Sequence, residues 1–93
     1  MEHQICEAIA RRSVMTFRYR EIERAVEPHL LGYDEDSDLV LQAWQLTGGG
    51  ESGFRTYQVA KMSRLHTGQV AFDGTRPGYD PAHPTMIDII CKL

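Results

Sequence analysis

RAVEPHLLGYDEDSDLVLQAWQLTGGGESGFRTYQVAKMSRL, residues 24–65, decides the fold. It reads as a strand, an acidic turn and a long β-hairpin with basic side chains at intervals among apolar ones. The first strand covers about Glu23 to Tyr33. Pro28 removes one ladder donor there, so the strand bends, bulges or runs along an edge at that point. Leu30 and Leu31 anchor it again, and Gly32 allows a kink. Residues 34–38, DEDSD, form a polar turn. The next two strands, about 39–46 and 54–61, flank a tip (47–53) with four glycines, which supply the positive φ angles of a turn. On the earlier of these strands Leu39, Leu41 and Ala43 share one face, while Val40, Trp44 and Leu46 share the other. Such a strand is buried on both sides or offers one face to a partner. On the later strand Arg55, Tyr57, Val59 and Lys61 share a face.

Outward from this stretch, HQICEAIARR (3–12) places Ile5, Cys6 and Ile9 on one stripe of an amphipathic helix. Ten residues do not hold a helix in water by propensity alone, so this one lies on the sheet. In VMTFRYRE, Met15, Phe17 and Tyr19 alternate with Val14, Thr16 and Arg18, the period of a strand with its core face on the first set. After Lys61, a last short strand ends near Thr67-Gly68, with Gln69 to Phe72 able to add a few extended residues. Residues 73–84 carry three of the four prolines and read as an irregular connector. The tail TMIDIICKL fits a short helix with Thr85 as N-cap, and its isoleucines equally suit an edge strand. Either way it is too apolar to hang free, and docks on its own sheet or on a second subunit.

The chain has 93 residues, one domain's worth, with 42% apolar and 25% charged side chains. A net charge of −3 argues against bulk phosphate binding but leaves room for a local basic patch. Arg11, Arg12, Arg18, Arg20 and Arg24 form one, followed at once by the acidic run Glu27, Asp34, Glu35, Asp36 and Asp38. Cys6 and Cys91, in a chain without a secretory leader, are expected as buried thiols in a reducing cytoplasm rather than as a bond between the two ends. No apolar run approaches the ~18 residues of a membrane span.

Catalytic and metal chemistry find little to stand on. D-x-D-x-D at 34–38 lacks the glycine and the carboxylate of a calcium loop, where Leu39 and Gln45 stand instead. His3, His29, His66 and His83 make no zinc spacing with the cysteines. No serine has a triad context, and the glycine tip lacks the Gly-Lys-Ser/Thr of a phosphate loop. The expectation is a non-enzymatic domain without cofactor or metal.

Four segments resemble the WYL domain family of bacterial regulatory and defence proteins. AIARRSVMTFRY is similar to its opening helix and first strand, and RAVEPHLL to its R-x-V-x-P-x-x-L signature. LVLQAW takes the place of the W-Y-L tripeptide, and FRTYQVAKMSRL resembles the R-x-F-x-hydrophobic-x-R-I segment. The tripeptide here is Leu39-Val40-Leu41, and Lys61 replaces the second arginine, keeping its charge but losing the planar fork. Most members carry a winged helix-turn-helix ahead of this domain; none is expected in these residues, nor DNA reading by that route.

The resemblance implies a mainly β fold with short helices: an N-terminal helix (1–12), a five-stranded Sm-like or SH3-like antiparallel barrel (13–68), and an extension with a docking tail (69–93). The strand count from the residues agrees. It further implies ligand sensing, with a nucleotide-like anion or short single-stranded nucleic acid bound by Arg24, Arg55 and Lys61 and with Tyr19 and Tyr57 placed to stack on a base. Arg55 and Lys61 lie about 20 Å apart on a straight strand at ~3.3 Å per residue, so they share one small ligand only if the chain bends. The alternative is a protein-interaction module, a homodimer joined through the tail or a strand edge.

Overall fold

A computed structural model describes residues 1–93. Helix α1 (Glu2–Arg11) is followed by strands β1 (Ser13–Tyr19), β2 (Ile22–Asp34), β3 (Leu39–Thr47) and β4 (Gly53–Gln58). A single 3-10 turn (Val59–Lys61) then leads into β5 (Met62–Ala71), and β6 (Met86–Lys92) ends the chain. All neighbours are antiparallel, in the order β4-β3-β2-β1-β5, and β6 pairs with β2. The terminal strands β4 and β5 do not pair, so the sheet is not closed. No helix is long and apolar enough to cross a membrane.

β2 is the spine because it has three neighbours. β3 runs along one side, while β1 holds the first half of the other side and β6 the second. This is why Val26 to Gly32 are all buried without alternation. The bend expected at Pro28 is a register shift between Pro28 and Leu30, which leaves His29 as the extra residue. The core gathers inward residues of every element: Ile5 and Ile9 of α1, Met15 and Phe17 of β1, Val26 and Leu31, Leu41 and Ala43, then Tyr57. α1 lies over this core, as its apolar stripe requires, and ends with Arg12 in a left-handed cap at φ 54°.

Four expectations are corrected. There are six strands, not five, because the tail is a strand: Gly32 lets β6 close on β2, since a Cβ there would stand 2.6 Å from the Asp88 carbonyl oxygen. The strand expected over 54–61 stops at Gln58, where the chain turns. The strand expected to end near Gly68 runs unbroken to Ala71, taking in most of the extended residues expected after it, past a bulge marked by Arg64 at φ 54°. Finally, Cys6 and Cys91 form a disulfide, with Cα atoms 5.8 Å apart. Pairing of β6 with β2 carries Cys91 back beneath α1, a proximity that spacing along the chain does not reveal.

Candidate functional site

Arg24, Tyr19 and Tyr57 meet where β1, β2 and β4 converge. The turn that delivers them is unusual. Arg20 and Glu21 join β1 to β2 in two residues, at φ 52° and 65°, which side chains other than glycine and asparagine adopt at a cost. It directs the Tyr19 carbonyl at Arg24, whose Nη2 donates to it at 3.2 Å. Arg24 Nη1 donates to Gln45 Oε1 at 3.2 Å. The Tyr57 hydroxyl donates to the same oxygen at 2.5 Å. Gln45, buried on β3, completes its bonding by donating from Nε2 to the Gly49 carbonyl at 2.8 Å. Arg24 Nε is buried and has no partner.

The tyrosines are walls of this corner, not open platforms. Their rings stand edge to face at 5.1 Å, and Phe17 closes the cluster at 5.0 Å from Tyr57. Tyr19 and Tyr57 are 7% and 2% exposed, so neither ring has a free face on which a base could lie. The Tyr19 hydroxyl accepts the Gln58 amide at 3.0 Å. Burial pushes the Tyr57 hydroxyl up to about 12, against the opposing pull of the Arg24 and Arg55 guanidiniums. Both cations therefore act on one phenol.

Arg55, half-buried on β4, turns back to the hairpin tip. Nη2 donates to the Glu51 carbonyl at 2.8 Å and Nη1 to that of Phe54 at 3.2 Å. Lys61 stands apart: it is exposed in the 3-10 turn and takes part in no hydrogen bond or ion pair with another side chain. The structure thus brings Arg24, Tyr19 and Tyr57 into one cluster, turns Arg55 to the adjoining hairpin tip and leaves Lys61 outside. None of the arginines bonds to the acidic turn. Asp34 Oδ1 instead accepts the amides of Asp36 and Asp38, at 2.9 and 3.0 Å, and the three carboxylates converge within 4.8 Å of one another.

A second polar cluster holds the connector over the outer face of the sheet. Arg76 grips buried Glu27 with two bonds, Nε to Oε1 at 2.7 Å and Nη2 to Oε2 at 2.9 Å. Its guanidinium lies 5.1 Å from the Trp44 ring centre, and its amide donates to His29 Nε2 at 3.1 Å. Since Nε2 accepts, the proton of His29 is on Nδ1, which donates to the Glu27 carbonyl at 2.8 Å. Burial lowers the His29 pKa from its ordinary 6.5, the Glu27 carbonyl and charge oppose that, and Arg76 adds to it. Of the two features that suggested a partner copy, Trp44 is half-buried under Arg76 and the tail pairs with β2 but leaves Ile87 exposed.

Sequence reasoning missed Gln45, His29 and Arg76. Gln45 did carry a signal: it continues the Leu39, Leu41, Ala43 face of β3, so a polar side chain points into the core. Two clefts open elsewhere. One of about 410 Å³ lies between α1 and β5, beside Glu7, Arg11 and His66; the other, of about 430 Å³, lies between Glu27 and residues 71–77. Neither is lined by Arg24, Arg55 or Lys61. Among protein families, the WYL domain model matches residues 3–67. No curated protein and no solved structure matches the chain.

Proposed function

The chain belongs to the WYL domain family, a regulatory, ligand-sensing type of domain, and on that premise we propose that it senses a phosphate-bearing anion, a nucleotide or a short single strand, at Arg24 and Arg55. The observation that carries this reading is Arg24. It is a half-buried guanidinium with one donor unsatisfied, and Tyr57 feels its charge together with that of Arg55. A buried donor without a partner is costly in a folded protein, and an anion would supply the missing acceptor with charge assistance. With the tyrosine rings closed off, recognition rests on phosphate and not on base stacking.

Two further points belong to this reading. The sheet is a partly open small barrel of the Sm or SH3 kind, supported by strands that wrap one core and by terminal strands linked through a single 3-10 turn. The domain acts by binding and not by catalysis. Glu27 and His29, the buried acid and base, are both committed to Arg76.

Titration of a short oligothymidylate and of a mononucleotide at low and high salt tests the proposal. For a single strand, each phosphate neutralised by an arginine contributes a slope of about −0.7 in log K against log salt, so two arginines give roughly −1.4. The Arg24→Ala, Arg55→Ala double variant should remove binding. Absence of binding at low salt, or binding that survives the double variant, would sink the reading.

A further inference from the structure

The glycine-rich tip is largely exposed, but its first residues lie against the site. At Gly48, φ is 137°, and a Cβ added there would come within 2.6 Å of Arg24 Cδ and 3.0 Å of its Cα. The loop backbone therefore lies directly on the Arg24 side chain. Gly49 gives its carbonyl to Gln45, the residue that holds Arg24 and Tyr57. Glu51 gives its carbonyl to Arg55. Gly49 and Gly50 also have positive φ, 93° and 78°. The Glu51 carbonyl thus occupies a position where the Arg55 guanidinium would meet an anion, and the tip backbone packs on Arg24, whose Nε is unpartnered. Gly49, Gly50, Glu51 and Ser52 belong to no strand, and most of this tip is exposed, so little packing opposes its displacement.

We propose that Gly48–Gly53 is a lid, closed by the Glu51 carbonyl on Arg55, the Gly49 carbonyl on Gln45 and backbone packing on Arg24, and that a phosphate-bearing anion binds by displacing it. The proposal rests on the anion-sensing reading and adds its regulation: occupancy is reported by the conformation of the hairpin tip. A carbonyl is a neutral acceptor and a phosphate oxygen a charged one, so the exchange favours the anion. The apparent affinity is then the intrinsic one multiplied by the fraction of time the lid is open.

Gly48→Ala tests this, because its Cβ cannot sit on Arg24 and props the loop away. With inorganic pyrophosphate as the probe, the variant should bind more tightly than the wild type, by up to about tenfold if the lid is open ~10% of the time. Amide exchange of residues 48–53 should be faster in the variant without ligand, and should rise in the wild type on saturation with pyrophosphate. Equal or weaker binding by Gly48→Ala would overturn the lid while leaving the anion site standing, provided the wild type binds. Slower exchange of the loop on pyrophosphate binding would also overturn it, since the tip would then clasp the ligand. That second measurement needs no variant. Failure of the wild type and of Gly48→Ala to bind pyrophosphate would overturn the site and the lid together.

Discussion

Reducing the Cys6–Cys91 bond should remove a large part of this domain's stability. The bond spans 85 positions, nearly the whole chain. In the chain-entropy description a loop of that length restricts the unfolded state by 2.1 + 1.5R ln n, or about 15 cal/mol/K, which is about 4.6 kcal/mol at 25 °C. Domains of this size have in total about 5–15 kcal/mol. Half-buried packing of both cysteines against the core means that alanine variants would add a packing penalty, so the cleaner comparison is one protein oxidised and reduced. Urea unfolding followed by the fluorescence of Trp44, the single tryptophan, reads it directly. The reduced midpoint should fall by about 2 M at a slope near 2 kcal/mol/M. Thermal unfolding should drop by roughly 20–35 °C, at about 4–8 °C per kcal/mol for this length. A difference under about 1 kcal/mol, with thiol counts proving complete reduction, would refute the reasoning: either the bond is not formed, or the unfolded chain is held compact without it.

Three other outcomes follow from named contacts. His29 has a lowered pKa in the fold, so its contribution is present above 6.5 and is lost as pH falls from there through the folded value; urea midpoints should decline over that range, and His29→Phe should flatten the decline, whereas an unchanged profile would contradict it. Gly32→Ala should cost about 1–3 kcal/mol by overpacking, because the new Cβ meets the β6 backbone, and amide exchange should rise first along β6. Gln45→Leu should destabilise by about 1–3 kcal/mol through the buried Tyr57 hydroxyl and Arg24 Nη1 it leaves unpartnered, while Gln45→Glu keeps the acceptor and should cost less; equal destabilisation would show that the shared oxygen is unimportant.

What was legible in the sequence was local. The alternation of Met15, Phe17 and Tyr19 fixes a strand and the Gly48–Gly50 tip a hairpin, because strand period and positive φ are short-range properties. Pro28 announced its bulge for the same reason. The features that went unread depend on chain return. Nothing between Val59 and Lys61 marks a turn, yet the chain bends there to bring β5 to β1, which places Lys61 away from Arg55. Ile89 and Ile90 suited helix or strand until Gly32 offered β2 as a template. Arg76 sits in a connector whose composition says only that it is irregular, and its partner Glu27 read as the start of the acidic run and not as the buried acid of β2 that it is. At the site, residue types pointed to Arg24 and Arg55, while the Gln45 oxygen shared by Arg24 and Tyr57 required the fold.

The central claim, that an anion is held by Arg24 and Arg55, is tested most directly by following arginine side-chain Nε–H resonances while inorganic pyrophosphate is added. The account predicts that the Nε–H signals of Arg24 and Arg55 move first and together with the amides of Gly48 to Gly50, and that Arg12 and Arg76 stay in place. Shifts confined to the α1–β5 cleft around Glu7 and His66, or an Arg24 signal that never moves at saturating pyrophosphate, would contradict it.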